Sequence, residues 1–227
     1  MPSRTIAIGD VHGCSRALET LLGAIKPGPE DVIVALGDYV NRGPDSRGVL
    51  DRLIALERQC TLVPLLGNHD QMLLDTRAGH PHAFTIWMRL GGSATLSSYG
   101  SQPGPVTGAE LARIPDSHVS FLERCRPYHE TDTHIFVHAK YNPELPMDRQ
   151  PTWLLRWESL SDGTPGPHVS GKPVITGHSS QKTGKILDLG HLVCIDTYCH
   201  GGGWLTALDV HTGQVWQANQ QGELRSP

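Results

Sequence analysis

The chain has 227 residues, long enough for one ordinary domain with a proper core, and is 38% hydrophobic and 19% charged. A formal charge of −4 and the lack of any Lys/Arg run argue against stable nucleic-acid binding, which rests on phosphate neutralisation. No apolar run approaches the ~20 residues of a membrane helix, and Met1 to Ile8 runs straight into a strand without a signal-peptide pattern, so a cytoplasmic protein with no membrane partner is expected.

Thr5 to Ile8 reads as the first strand. Leu18, Leu21, Leu22 and Ile25 follow with helical spacing. Val32 to Leu36 is a second buried strand, and Val49, Leu50, Leu53, Ile54 and Leu56 suit the helix after it. Thr61 to Leu66 is a third strand, with a short helix expected after His69. From about Thr76 to Pro127 strand signals fade and short helical patterns alternate with Gly/Ser/Pro-rich breaks. That stretch, about 76–127, is expected to be a helical cap inserted into a single domain spanning 1–227. Strand signals return at Ile135 to His138, Val174 to Thr176 and Leu192 to Asp196. Trp204 to Val210 and Gln214 to Ala218 read as a hairpin turned at Thr212-Gly213, and Gln220 to Pro227 as a frayed tail. Alternation of short strands and helices favours an α/β domain.

Three motifs close the first three strands: Gly9-Asp10-Val11-His12-Gly13, Gly37-Asp38-Tyr39-Val40-Asn41-Arg42-Gly43 and Gly67-Asn68-His69-Asp70. In open α/β sheets the ligand crevice lies outside the carboxyl ends of the strands, so these segments should converge. Asp10 and His12, two apart on extended chain, point to one side. Asp38 can bridge two cations, and Asn68 offers a neutral carbonyl oxygen. Two later apolar runs end in His138 and His178. Two Asp, one Asn and three His form a mixed oxygen and imidazole set suited to manganese, iron or zinc rather than magnesium or calcium. The five cysteines are scattered and form no CxxC pair, which argues against a disulfide framework and a structural zinc site.

GDVHG, GDYVNRG, GNHD, the strand-end His138 and the Gly177-His178 pair together resemble the signature of the PPP-type, calcineurin-like metallophosphoesterases, a group holding bacterial Ser/Thr protein phosphatases and symmetrical diadenosine tetraphosphatases. The resemblance runs from Thr5 to about Val210. It implies a sandwich of two mixed sheets flanked by helices (α/β/β/α) with a small helical cap. It implies a dinuclear centre of two divalent ions, manganese first with iron or zinc as alternatives. Asp10 and His12 would hold one ion, Asp38 would bridge both, and Asn68, His138 and His178 would complete the other. His69 would be the general acid. Arg42 would clamp phosphate, with Arg156 as the candidate for a second clamp. Tyr198, in the loop Ile195 to Gly203 that borders the site in relatives, would then touch substrate. Two such ions about 4 Å apart lower the pKa of water between them and brace the phosphoryl oxygens, and guanidinium groups match phosphate bidentately.

One position departs from the protein phosphatases of that group. Asn41 stands where they carry an Asp that orients the catalytic His and stabilises its protonated form. A comparable Asp-to-Asn change in another enzyme class costs about 10⁴ in rate. The resemblance therefore implies a hydrolase of phosphomonoesters, a protein phosphatase of broad specificity, with a dinucleotide polyphosphate hydrolase as alternative and a catalytically weak phosphate-binding module as the remaining reading. The substrate partner is then a phosphorylated protein or a small phosphoester or nucleotide. The other nine histidines, His200 among them, are read as structural or solvated, and the five tryptophans as core or cap packing.

Overall fold

The computed structural model describes residues 4–102 and 108–226. The expectations for Met1 to Ser3, for residues 103–107 within the 76–127 stretch and for Pro227 lie outside those residues. The chain runs β1 (Thr5–Ile8), α1 (Ser15–Ile25), β2 (Val32–Ala35), α2 (Ser46–Leu56), β3 (Thr61–Pro64) and α3 (Asn68–Arg77). Within the 76–127 stretch come α4 (Ala83–Trp87), a π-helical turn (Met88–Gly92), α5 (Ser93–Ser98), a 3-10 turn (Gly108–Arg113) and α6 (Asp116–Glu123). Then follow β4 (Tyr128–Glu130), β5 (Ile135–Val137), α7 (Thr152–Trp157), β6 (Val174–Thr176), β7 (Leu187–Asp188), β8 (Leu192–Cys194), β9 (Asp196–Thr197), β10 (Trp204–Asp209) and β11 (Val215–Ala218).

The strands form two mixed sheets. The first has the order β11-β10-β1-β2-β3 with β9 beside β10, and the second β4-β5-β6-β8-β7. β1, β2 and β3 are parallel, as helical crossovers require, whereas β10 returns antiparallel to β1. Successive side chains on a strand face opposite ways, and the cores divide accordingly. Ile6, Ile8, Ile33 and Ala35 turn out to the helices, while Ala7, Val34, Phe136, Ile175 and Ile195 meet between the sheets. Ile135, Val137 and Val174 face the other way, onto Leu155 of α7. The result is the expected α/β/β/α sandwich.

Local chemistry sets the helix ends. Asp45 caps α2 by accepting from the Gly48 N–H at 2.8 Å. α1 stops at Lys26, whose left-handed backbone lets its N–H reach Leu22 O at 2.9 Å before Pro27 breaks the helix. β3 lies at a sheet edge, where Pro64 needs no donor and its carbonyl accepts from Arg126 N at 2.9 Å.

Three details differ from the sequence reading. The run Leu192 to Asp196 is not one strand. The buried Ile195 carries the chain from β8 in the second sheet to β9 in the first. The tail is not frayed through Arg225. Thr20 Oγ1 donates to Gly222 O at 3.0 Å, and Arg225 reaches Gly184 O and Gln217 Oε1, both at 2.8 Å. Trp153 and Trp157 are 58% and 42% exposed, because the short α7 turns Leu155 rather than its tryptophans inward.

Arg4 at the start of β1 is tied to the buried Asp31 before β2. The Asp31 carboxylate accepts from Arg4 N, Nε and Nη2 and from Gly28 N. The Arg4 hydrogen bond is the main cause holding that carboxyl down at about 2. A carboxylate held below its unfolded value stabilises the fold above about pH 4 and loses the contribution as pH falls through its folded value. Asp31→Asn is expected to cost about 1–2 kcal/mol at neutral pH, the solvent-facing side of Arg4 trimming the full linkage value. The gap from wild type should shrink towards pH 2. Denaturant unfolding at both pH values checks this, and a pH-independent gap refutes it.

Candidate metal centre and active site

Every candidate ligand follows a strand. Asp10 and His12 follow β1, Asp38 follows β2, Asn68 opens α3 after β3, His138 follows β5 and His178 follows β6. The two sheets lie face to face, so these ends meet along one rim. The backbone is bent hard there. His12, Asp38, Asn41, Arg42, His178 and Tyr198 all take positive φ, between 43° and 71°. Residues in that region cost of order 1–3 kcal/mol each and persist only where surrounding structure enforces them. Gly67 and Gly177 permit the close approach, since a Cβ at either would fall 2.1 Å from the carboxylate of Asp38 or Asp10 respectively.

The ring hydrogens of the histidines are fixed by backbone carbonyls, which can only accept. His12 Nδ1 donates to Val40 O at 3.0 Å, His138 Nδ1 to Leu36 O at 2.8 Å, and His178 Nε2 to Trp157 O at 3.2 Å. Each leaves its other nitrogen bare, and each bare nitrogen faces an oxygen. His12 Nε2 is 3.3 Å from Asp38 Oδ2. His138 Nε2 is 3.1 Å from Asn68 Oδ1 and 3.5 Å from Asp38 Oδ1, and His178 Nδ1 is 3.0 Å from Asn68 Oδ1. A cation would reconcile lone pairs facing lone pairs at these distances, and at His12 Nε2 the Arg42 Nη1–H at 3.3 Å already serves. Two groups of potential metal-holding side chains arise, His12 with Asp38 and His69, and Asp38 with His138 and His178, each with donor atoms within 4.8 Å of one another. Asp38 belongs to both. Asp10 joins the cluster through its carboxylate oxygens, both 3.0 Å from His178 N.

Burial explains the electrostatics. It pushes the carboxyls of Asp10, Asp38 and Asp196 above their ordinary values, helped at Asp10 by repulsion from Asp196 and Asp38. Burial is also the main cause lowering the imidazoles, to about 3 in His138 and His178, about 4 in His200 and well below the ordinary value in His12. Neutral imidazoles with bare nitrogens are the ligating form. Crowded buried carboxyls are the groups a cation would return to carboxylate. The residues present therefore fit divalent ions.

His69 differs from the three other histidines. Its backbone N–H donates to Asp38 Oδ1 at 2.9 Å, its ring packs edge-on against His12 with centroids 4.8 Å apart, and its Nδ1 lies 2.9 Å from Asn41 Nδ2. Burial, then the Arg42 charge, hold this ring at about 2. Arg42 sits at the mouth, Nη1 donating to His12 Nε2 and His200 Nε2, both at 3.3 Å. Arg156 is half-buried and reaches Leu66 O at 3.3 Å and Gln71 Oε1 at 2.6 Å, beside the third motif rather than beside Arg42. The Tyr198 ring stacks edge-on against His200, centroids 4.8 Å apart.

Several residues at the site went unassigned in the sequence. Asp196 is buried next to Asp10 and accepts from Ser180 Oγ at 2.6 Å and Tyr198 N at 3.0 Å. It closes an apolar run as Asp10 and Asp38 do, so the same signal was present. His200 was read as structural, yet it contacts Arg42 and lies 4.6 Å from the His12 ring. Gly91 and Thr95 of the 76–127 stretch also reach the site. Gly91 O accepts from Arg42 N at 3.4 Å across the kink of the π-helical turn, and Thr95 Oγ1 accepts from Asn41 N at 2.9 Å.

The fully buried Asp70, last residue of the third motif, ties that motif to the second. It accepts from the backbone N–H groups of Asp38, Tyr39, Val40 and Gly67 at 2.8 to 3.3 Å. Burial holds the Asp70 carboxyl up at about 8 against these donors, so Asp70→Asn is expected to cost about 2 kcal/mol through geometry rather than charge: one acceptor oxygen becomes an NH₂ group turned towards buried N–H groups that are left stranded. Denaturant midpoints measure this, and an unchanged midpoint contradicts it.

A two-sheet sandwich with Asp, Asn and His donors gathered at its strand ends defines a metallophosphoesterase type of fold and centre. Residues 3–182 match the sequence profile of the calcineurin-like phosphoesterases, and the chain belongs to that family. It is 35% identical to serine/threonine-protein phosphatase 1 of Salmonella typhimurium over 59% of this chain and 57% of that one. It is 33% identical to the symmetrical bis(5'-nucleosyl)-tetraphosphatase of Nitrosomonas europaea over 64% of this chain and 47% of that one. The matched segment thus spans about half the length of these two relatives. The corresponding protein of Bordetella pertussis is 26% identical over 92% of this chain and 93% of its own. Among solved structures, a putative diadenosine tetraphosphatase superposes with a TM-score of 0.67 at 25% identity, covering 96% of this chain and 95% of that chain. No helix among the described residues is long and apolar enough to cross a membrane.

Proposed function

We propose that the protein hydrolyses phosphomonoesters with two divalent metal ions, as a cytoplasmic protein phosphatase of broad specificity. The observation that carries this reading is the cluster of bare histidine nitrogens and buried oxygens centred on Asp38, with the Arg42 guanidinium at its mouth. In this reading Asp10, His12, Asp38, Asn68, His138 and His178 hold the ions, manganese first. When bound, the pair supplies an acidified water and charge stabilisation of the phosphoryl oxygens. Arg42 grips those oxygens, and Arg156 fills the second clamp by leaving Gln71. Asn68 and Tyr198 line the substrate side, and His69, held by Asn41, meets the leaving oxygen. The 76–127 stretch serves as a cap on the single domain, its Gly91 and Thr95 contacts supporting Arg42 and Asn41. The relative named as a serine/threonine-protein phosphatase supports the protein substrate.

A second reading, hydrolysis of a symmetrical dinucleoside tetraphosphate, is favoured by Asn41. It brings no negative charge to His69, which suits leaving groups that depart without a proton. Relatives named as symmetrical tetraphosphatases support it. The test combines metal analysis with turnover of p-nitrophenyl phosphate, a phosphoserine peptide and diadenosine tetraphosphate in manganese. Phosphopeptide turnover supports the first reading, and faster release of ADP from the dinucleotide the second. No turnover with two bound ions would leave the protein as a phosphate-binding module and overturn both.

A further inference from the structure

The hydroxyl groups behind Asn41 form a chain whose protons run in one direction. Thr95 Oγ1 accepts from the Asn41 backbone N–H at 2.9 Å and lies 3.1 Å from Ser46 Oγ and 2.8 Å from Asn41 Oδ1. Ser46 Oγ itself receives the Asn41 N–H at 3.2 Å, and its hydrogen-bonding acceptor among the described residues is Thr95 Oγ1. The Ser46 proton therefore goes to Thr95, and the Thr95 proton goes to Asn41 Oδ1. With its oxygen occupied, Asn41 turns Nδ2 to His69 and donates to Nδ1 at 2.9 Å. Ser46, Thr95, Asn41 and His69 are all buried. The opposite amide orientation would reverse the chain and leave the buried Ser46 hydroxyl proton without an acceptor, which is costly.

We infer that Ser46 and Thr95 are positioning residues that fix His69 as the neutral tautomer with its proton on Nε2, so that the site selects phosphate esters and anhydrides whose leaving group departs as a stable anion. The substrate selection rests on the site reading above; the tautomer does not. A neutral ring presenting Nε2–H offers a hydrogen bond to the leaving oxygen but keeps its proton, since giving it up would leave an imidazolate. The hydrolytic water forms the new P–O bond. The old P–O bond breaks with its electron pair on the leaving oxygen, which takes a proton from solvent only afterwards. Aryl phosphates, phosphotyrosine included, and phosphoric anhydrides lose least by this sequence, whereas phosphoserine, whose alkoxide departs without that proton, is turned over more slowly than they are.

The test has two arms. In the first, nitrogen NMR of the metal-free protein carrying ring-labelled histidine reads His69, its signals identified by their loss in His69→Gln. Wild type is expected to show a bare Nδ1 and a protonated Nε2. Thr95→Val, nearly the same shape without the hydroxyl, frees the Asn41 amide to turn, and the Nδ1 signal should move towards the protonated position. Thr95→Ser should retain the wild-type signals. In the second arm, kcat/KM is measured over aryl and alkyl phosphates of graded leaving-group pKa. Thr95→Val should narrow the aryl-over-alkyl preference at least about tenfold, and Thr95→Ser should leave it, general acid help being worth about 10²–10⁴. A merely structural loss would lower all substrates together. A protonated Nδ1 in wild type, or wild-type signals and preference in Thr95→Val, overturns the inference. If no phosphoester is hydrolysed by wild type, the function reading fails, while the NMR arm still decides the tautomer.

Discussion

Asp38→Asn is expected to remove at least about 10³-fold of the turnover of p-nitrophenyl phosphate, some 4 kcal/mol of transition-state stabilisation. Asp38 is the side chain shared by both donor groups, and its oxygens lie 3.3 and 3.5 Å from His12 Nε2 and His138 Nε2. An amide there preserves shape but halves the donor capacity and removes the charge that, in the proposed centre, would hold two cations together. The stability of the metal-free protein should move the other way. Burial already pushes the Asp38 carboxyl above its ordinary value, so the neutral amide relieves a desolvation cost. Metal-free Asp38→Asn should therefore melt no lower than wild type, yet gain little when manganese is added, because ligand stabilisation follows the affinity lost. Full metal content and near-normal turnover in this variant would remove Asp38 from the centre.

Asn41→Asp is expected to raise kcat/KM on a phosphoserine peptide about 10²-fold and on p-nitrophenyl phosphate by less than about threefold. Asn41 is fully buried, 2.9 Å from His69 Nδ1, and already holds the Thr95 hydroxyl on its oxygen. A carboxylate in that place can accept from Nδ1–H and from Thr95 together. It would stabilise a protonated His69, able to deliver a proton to an alkoxide. A nitrophenolate needs no such delivery, so its gain should be small. Equal gains on both substrates would contradict this account of the leaving group.

Much of this centre was legible in the chain because its signals are local. An apolar run followed by Asp, His or Asn marks a strand end, and Asp10, His12, Asp38, Asn68, His138 and His178 all carry that mark. Asp196 carries it too, but its run was read as one strand, and the switch of sheet at Ile195 was hidden because both halves are equally apolar. Arg156 enters as a candidate only through the family resemblance, which implies a clamping Arg near a Trp shortly before the Gly177-His178 pair. Its partners Leu66 O and Gln71 come from residues 85 to 90 positions away, which spacing along α7 could not supply.

The sequence by itself determined the alternating strand faces, the order of the motifs and the kinds of donor atom available. Those follow from side-chain type and a period of two, which need no knowledge of neighbours. Only the tertiary structure decided which nitrogen of each histidine is bare, that Asp70 locks two motifs together, and that Thr95 stands behind Asn41 from 54 positions away. A ring's tautomer and an amide's orientation are set by whichever donor or acceptor the fold brings within about 3 Å. Partners of that kind come from segments whose own sequence carries no mark of the meeting.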